Sequence, residues 1–292
     1  MAAIGLQNDG SVKRLAFTED DCKARTLFSE WLIAAGASVR IDAAGNLIGR
    51  LEGTEPGLPA LVTGSHLDTV PTGGRFDGAL GVLAGLEVIR SLKDQAISLR
   101  HPLEVVAFAD EESTMVGCKG MTGVASGSTA DYTCSNGQSI SDNLPCIGGS
   151  WEQLREARRS DDAIAAFVEL HVEQGGILES RGDAIGLVEG VVGQRRFLVR
   201  IKGQANHAGT TPMDARQDAL ATAAQVILAV QELANNHPGD PVGTVGKLQL
   251  WPNAANVVPG QVELSVDLRD LNIEVLNELV EELEGRLNSI SR

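Results

Sequence analysis

The chain has 292 residues, 43% of them hydrophobic and 22% charged, which is ordinary for a globular protein long enough to bury a large core. Its formal net charge of -15 argues against nucleic acid or an anionic membrane surface as a partner. The longest apolar stretches are too short to span a bilayer, the N-terminus has no secretory pattern, and the cysteines lack metal-site spacing, so we expect a cytoplasmic protein with reduced thiols.

The first half of the chain predicts helices that alternate with strands. Thr18 and the acidic residues after it predict the start of a helix that runs to Gly36. Later elements are predicted from apolar patterning as strands at 38–41, 47–51, 59–63 and 103–108 and a helix that begins after Asp77. This alternation predicts a parallel or mixed α/β sheet.

The middle of the chain is less regular. Residues 123–150 are rich in Gly, Ser and Asn, and we expect them to form a long surface excursion. A short helix at 151–158 and a strand at 165–172 are predicted to follow.

The pattern changes after about residue 190, where a second domain is predicted. Its elements are a strand at 196–202, a helix at 214–233, strands at 242–251 and 261–270, and a helix at 273–290. This β-α-β-β-α order is the ferredoxin-like split unit without its last strand. We therefore expect a catalytic domain at 1–188, a second domain at 189–292, and a chain that is truncated at its C-terminus.

Side chains suited to metal binding follow the predicted strand at 59–63. His66, Asp68 and Asp77 lie within a Gly-rich segment directly after it, where open α/β sheets bind ligands. Imidazole plus carboxylate is a donor set for Zn, Mn or Co. The alternative is an ordinary loop that contains a His and two Asp.

Two more strand ends offer ligands. Glu111 and Glu112 follow the strand at 103–108, and His171 lies at the end of the strand at 165–172. A site with two metal ions needs a bridging carboxylate, terminal ligands and a separate base, and adjacent glutamates can divide the last two tasks. Taken alone, Glu111 and Glu112 are equally compatible with a solvated acidic turn.

Six segments resemble one known family. They resemble the amidase, hydantoinase/carbamoylase branch of the aminoacylase-like dinuclear metallopeptidase superfamily, and they read TGSHLDTVPTGGRFDGALGVLAGLEVI, FADEES, ELHVEQGGILE, GVVGQRR, NHAGTTPMDARQDAL and PNAANVVPG. The branch includes N-carbamoyl-L-amino-acid hydrolases, allantoate amidohydrolases, ureidoglycine amidohydrolases and β-ureidopropionases. The resemblance implies an α/β fold, in which a mixed-sheet co-catalytic metallohydrolase domain carries an inserted ferredoxin-like α+β lid that also forms a homodimer.

The resemblance also implies roles at the metal site. It assigns two divalent ions, Zn or Mn with Co or Ni as alternatives, to four ligands, which are His66, Asp77 as the bridging carboxylate, Glu112 and His171. Asp68 is implied to hold His66 in place, and Glu111 to be the general base.

Substrate-binding roles are implied mainly for the lid. His207 resembles a lid residue that reaches the active site of the partner subunit and stabilises the oxyanion, and Asn256 and Arg269 resemble a pair that binds the substrate carboxylate. Gln174 and Gln194 resemble polar pocket residues. Without the resemblance, His207 would be a surface-loop histidine and Arg269 a salt-bridged strand end.

The chain departs from the family in one respect. The family's last metal ligand is a His in a Gly-His-Asp-type motif near its C-terminus, and the only later His here, His237, lies in a predicted turn. The Glu112 metal is therefore expected to have an incomplete shell.

Together with the candidate metal ligands, the resemblance implies metal-dependent hydrolysis of a linear ureido or amide C–N bond in an N-carbamoyl amino acid or allantoate-like substrate, with release of ammonia and carbon dioxide. The alternatives are a dipeptidase or aminoacylase of the same superfamily, and a truncated, non-catalytic chain that only dimerises.

Overall fold

The computed structural model describes residues 1–291, which divide into two units, Met1–Asp183 and Ala184–Arg292. Among the described residues, no helix has the length and the apolar character needed to cross a bilayer.

The first unit is built on a mixed five-stranded sheet in the order β1-β2-β4-β3-β5. Its strands are β1 (Ser38–Ile41), β2 (Leu47–Leu51), β3 (Ala60–His66), β4 (Leu103–Phe108) and β5 (Ile164–Val168). Its α-helices are α1 (Glu19–Ala34), α2 (Ala79–Asp94), α3 (Val116–Thr122), α4 (Ile140–Asn143) and α5 (Ile177–Arg181). Strand β3 runs parallel to β4 and β5, whereas β2 is antiparallel to β1 and β4, which confirms the predicted mixed α/β sheet.

Helices α1 and α2 share one core on a single face of this sheet. Phe28 and Leu32 of α1 and Val82 and Leu86 of α2 pack with Val105 of β4. Helix α1 begins as predicted, since Thr18 accepts a hydrogen bond from the Asp21 backbone N–H at the first turn. Burial of these apolar side chains holds α1 and α2 against the sheet and so stabilises the strands from which the loops with the candidate ligands emerge.

The surface excursion predicted at 123–150 is confirmed in part, because most of the segment is exposed, but the segment also adds buried side chains to a core that it shares with other parts of the first unit. Tyr132, Ile140 and Leu144 are buried together with Val116 of α3. These apolar residues are separated by polar ones without a helical or strand period, so composition alone indicated a loop.

The second unit is a sheet with two helices. Its strands are β6 (Gly193–Lys202), β7 (Asn206–His207), β8 (Val242–Thr244), β9 (Leu248–Trp251), β10 (Val257–Val258) and β11 (Gln261–Asp270), and its α-helices are α6 (Ala219–Asn236) and α7 (Ile273–Ile290). Strand β11 pairs with β6 along one edge and with β8 and β9 along the other. Alternate β11 residues are buried against α6 and α7, as expected of a strand that has one face on a core.

Several predicted bounds need correction. Helix α6 begins at Ala219 instead of 214, because Asp218 caps it and accepts hydrogen bonds from the backbone N–H groups of Leu220 and Ala221. The strand predicted at 242–251 is interrupted and becomes β8 and β9, and β5 ends at Val168 instead of 172. The helix predicted at 151–158 is a short 3-10 turn, Leu154–Ala157.

Candidate metal centre

His66 is the last residue of β3 and is buried where the strand leaves the sheet. Its Nδ1 lies 2.9 Å from the backbone carbonyl oxygen of Asp68. Because a carbonyl only accepts hydrogen bonds, Nδ1 is the donor, and in the neutral imidazole the lone pair is then on Nε2. This is the orientation in which an imidazole can ligate a metal ion through Nε2.

Three ligand side chains converge at this edge of the sheet. Ligand atoms of His66, Asp77 and His171 all lie within 4.8 Å of one another. His171 Nε2 is 3.3 Å from Asp77 Oδ1, and its Nδ1 is held by the Val172 carbonyl at 2.8 Å. Two imidazoles and a carboxylate fit a divalent transition-metal ion, and their convergence supports that assignment.

Glycines permit this close approach. Gly78 has a φ of +63°, and a Cβ on it would lie 2.5 Å from the His66 Cδ2 and Cγ atoms. A Cβ on Gly81 would overlap the Leu170 carbonyl oxygen, so Gly81 allows the segment that leads to His171 to pass over α2. Glycine at the N-cap of α2 and in its first turn therefore leaves room for the two imidazoles and the chain that carries them.

Glu111 and Glu112 lie on the turn that follows β4, next to the histidine. Glu111 Oε2 is 3.5 Å from His66 Nε2. The Asp68 carboxylate accepts hydrogen bonds from the backbone N–H groups of Glu111, at 3.4 Å, and Glu112, at 3.1 Å. Asp68 thus connects the two loops, through its carbonyl to His66 and through its carboxylate to the glutamate turn.

The electrostatics of this region favour a cation. Burial raises the pKa of Asp68 to about 7, and burial also raises the pKa of Asp110 and of Glu112. Neighbouring Asp77 and Glu111 add to the rise at Glu112. A bound divalent ion would relieve this repulsion by stabilising the charged carboxylates.

Gln174 adds a polar contact to Asp77. Its Nε2 lies 3.1 Å and 3.0 Å from the two carboxylate oxygens of Asp77, and its backbone has a φ of +56°. The structure therefore places this predicted pocket residue directly on the predicted bridging carboxylate.

The remaining predicted residues lie in the second unit. His207 in β7 pairs with Val257 in β10, and the Asn256 carbonyl accepts a hydrogen bond from the Ala208 N–H, so His207 and Asn256 are neighbours. The His207 Nδ1 accepts the Gly209 N–H at 3.0 Å, which makes Nε2 the protonated nitrogen.

Arg269 lies opposite Gln194 across the pairing of β11 with β6. Its guanidinium binds the Asp267 carboxylate through Nε at 3.0 Å and Nη2 at 3.1 Å, which is the salt-bridged strand end considered as the alternative reading of this residue.

Sequence reasoning missed two buried polar residues that support these loops. Asn46 accepts the Ala109 N–H and donates to the Gly117 carbonyl, so it holds both ends of the glutamate turn. Arg14 donates to the Leu67 carbonyl beside Asp68. The Asp42–Asn46 turn could have suggested the first, but no local signal distinguishes Arg14 from a surface arginine.

Comparisons with known proteins show which proteins the chain is similar to. Peptidase family M20/M25/M40 matches residues 62–277. An N-carbamoyl-L-amino acid amidohydrolase of Geobacillus stearothermophilus is 40% identical over 297 residues, which cover 100% of this chain and 72% of that protein. An allantoate amidohydrolase of Bacillus subtilis is 37% identical over 296 residues, with 99% and 71% covered. The crystal structure of an amidase of the hydantoinase/carbamoylase family from Burkholderia multivorans has a TM-score of 0.88 at 38% identity and covers 99% of this chain and 71% of its own.

Proposed function

The chain belongs to peptidase family M20/M25/M40, and from this premise we propose that it is an amidohydrolase that cleaves a linear C–N bond of an N-carbamoyl amino acid or an allantoate-like ureido acid. The resemblance inferred from the motifs is confirmed, since its relatives are amidohydrolases by name. These relatives do not favour the alternative of a dipeptidase or aminoacylase.

One observation carries the proposal, namely the convergence of His66, Asp77 and His171 with Glu111 beside them. The three converging residues would hold a divalent ion, with Glu112 proposed as the ligand of a second one. Zn and Mn are the proposed ions, with Co or Ni as alternatives, because all accept imidazole and carboxylate ligands. When bound, such an ion polarises a carbonyl oxygen and makes water more acidic.

Glu111 is the proposed general base and acid. Its carboxylate takes a proton from the attacking water while the water oxygen forms a bond to the carbamoyl carbon. The C–N bond then breaks, and Glu111 passes that proton to the leaving nitrogen. Ammonia leaves, and the remaining carbamate decomposes to carbon dioxide and the amino compound.

Asp68 is proposed to position both loops through its contacts with His66 and the glutamate turn. Its role is to hold the imidazole with Nε2 free and to keep the Glu111 backbone in place. Asp68 therefore acts through other residues.

Residues of the second unit are proposed to bind the substrate. The protonated Nε2 of His207 is suited to donate to an oxyanion, and its hydrogen bond from Gly209 supports that tautomer. Asn256 and Arg269 are proposed to bind the substrate carboxylate, and to do so the Arg269 guanidinium must release the Asp267 carboxylate. Gln174 and Gln194 are proposed to line the pocket. The second unit is proposed to be a lid through which the chain forms a homodimer, with His207 serving the active site of the partner subunit.

A substrate panel with Glu111→Gln tests the proposal. Protein loaded with Mn or Zn should release ammonia from N-carbamoyl-L-amino acids or allantoate and should not cleave dipeptides or N-acetyl amino acids. Glu111→Gln should lower kcat by about 10²–10⁴-fold, as expected for a lost acid–base group, while it retains the bound metal. Cleavage of dipeptides alone would favour the alternative enzyme, no cleavage with any substrate would favour a non-catalytic chain, and full activity of Glu111→Gln would remove Glu111 from this role.

A further inference from the structure

A buried arginine from the N-terminal segment, Arg14, binds residues 67–69, which directly follow the candidate ligand His66. The Arg14 side chain is 1% exposed, and its Nε donates to the Leu67 carbonyl at 2.6 Å while its Nη1 donates to the Ile4 carbonyl at 2.9 Å. A buried guanidinium is costly unless its N–H groups are paired, so this placement needs a compensating role. We infer that Arg14 is a positioning residue that holds residues 67–69, and through them the metal-binding imidazole, in place; this inference rests on the proposed function.

The Arg14 backbone binds the same loop from the other side of Asp68. The Arg14 N–H donates to Thr69 Oγ1 at 2.8 Å, and the Thr69 N–H donates to the Arg14 carbonyl at 2.9 Å. One residue thus makes three hydrogen bonds that flank Asp68 on both sides.

The hydrogen bonds to Arg14 take the place of β-sheet hydrogen bonds just beyond the end of β3. The pairing of β3 with β4 stops at His66 and Phe108, so the backbone of residues 67–69 has left that ladder. Backbone polar groups buried beyond a ladder must find other partners. Arg14 supplies them, with its side chain for Leu67 and its main chain for Thr69.

A displaced loop would disturb both halves of the site. The Asp68 carbonyl fixes the His66 imidazole, and the Asp68 carboxylate holds the backbone N–H groups of Glu111 and Glu112. A shift of residues 67–69 is therefore transmitted to a metal ligand and to the proposed base together. Small displacements of such groups cost large factors in binding and rate.

Lysine is not equivalent to arginine here. The guanidinium fork donates from Nε and Nη1 to two carbonyls, those of Leu67 and Ile4, in a fixed geometry. An ammonium group keeps the charge but has a single flexible nitrogen. Arg14→Lys should thus rescue part of what Arg14→Met loses.

The test combines two readouts on the full chain, with Arg159→Met as the matched control. Arg159 is a mostly buried arginine whose guanidinium binds Glu104 at 2.8 Å and the Ala163 carbonyl at 3.5 Å, and its hydrogen bonds do not involve residues 67–69. Co²⁺ dissociation constants should rise about 10–100-fold in Arg14→Met, as for other residues that support metal ligands, and by less in Arg14→Lys. The Co²⁺ dissociation constant of the control should stay within about twofold of that of the unmodified protein, although loss of its buried ion pair lowers the melting temperature.

Hydrogen exchange of the Thr69 amide, measured without metal, is the second readout. Arg14→Met keeps the main-chain carbonyl that the Thr69 amide binds but removes the side-chain bond to Leu67 beside it. The Thr69–Arg14 pairing should then open more often, and exchange should accelerate at least about tenfold relative to the control. Co²⁺ affinity and Thr69 exchange that both match the control would overturn the inference. If the unmodified protein binds no Co²⁺, the proposed function fails, and the exchange comparison alone decides the role of Arg14. If Arg14→Met does not fold, Arg14→Lys carries the same comparison.

Discussion

Gly78→Ala is predicted to weaken metal binding, an effect that a control glycine elsewhere in the chain should not show. Gly78 combines a φ of +63° with an approach in which an added Cβ would lie 2.5 Å from the His66 Cδ2 and Cγ atoms. Ordinary van der Waals contact starts at 3.4 Å, so the imidazole must retreat by about 0.9 Å. Metal–ligand distances tolerate deviations of only about 0.2 Å, and this retreat is several times larger.

The expected energies follow from the same geometry. The sparsely populated backbone conformation of Gly78, with a φ of +63° and a ψ of -50°, costs an alanine about 1–3 kcal/mol, and overpacking against the ring adds about 1–3 kcal/mol. Gly137→Ala is the matched control, because Gly137 has a φ of +74° but nothing within 4 Å of an added Cβ. It should therefore lose only the backbone contribution to the free energy of unfolding.

The assay measures Zn²⁺ affinity by competition with a fluorescent chelator, together with urea unfolding of the metal-free proteins. Gly78→Ala should weaken Zn²⁺ binding at least about tenfold, whereas Gly137→Ala should bind within about twofold of the unmodified protein. Equal Zn²⁺ affinity of the two variants would refute the reasoning, because it would mean that the His66 position does not govern binding.

The remaining predictions concern groups that support the sheet and the glutamate turn. Despite burial, hydrogen bonds from Arg159 and Arg50 hold the pKa of Glu104 below its usual value of 4.5. The stabilising effect of the Glu104 carboxylate is therefore present above about pH 4.5 and is lost as the pH falls below it. The free energy of unfolding should fall less steeply between about pH 5 and pH 3 in Glu104→Gln than in the unmodified protein, and equal slopes would contradict this. Asn46→Ala removes the acceptor for the Ala109 N–H and should cost about 1–3 kcal/mol in urea unfolding. It should also lower kcat more than the affinity for metal, and a change in stability alone would count against a role in placing the turn.

Regular elements of the fold could be predicted from the sequence because their burial is periodic. Strand β11 and helix α7 have the predicted bounds, since alternate residues of the strand and one face of the helix are buried against each other. The core under 123–150 was missed, because its apolar residues are brought together by turns that have no period.

The candidate site was predictable in part for a different reason. Metal-binding residue types such as His66 and Asp77 can be recognised in the sequence at the end of a strand and in the loop that follows it, and the sheet then brings them to one edge. Arg14 and Asn46 could not be found this way, because their importance depends on carbonyl and N–H groups far along the chain that the sheet leaves unpaired.

X-ray absorption at the zinc edge of the Zn-loaded protein tests the central claim most directly. The account predicts a tightly retained ion with imidazole nitrogen and carboxylate oxygen ligands at about 2.0–2.2 Å, and weaker imidazole scattering in His171→Ala, in which only His66 remains. Failure to retain zinc after gel filtration, or an identical spectrum for His171→Ala, would contradict the claim that His66, Asp77 and His171 form a metal centre.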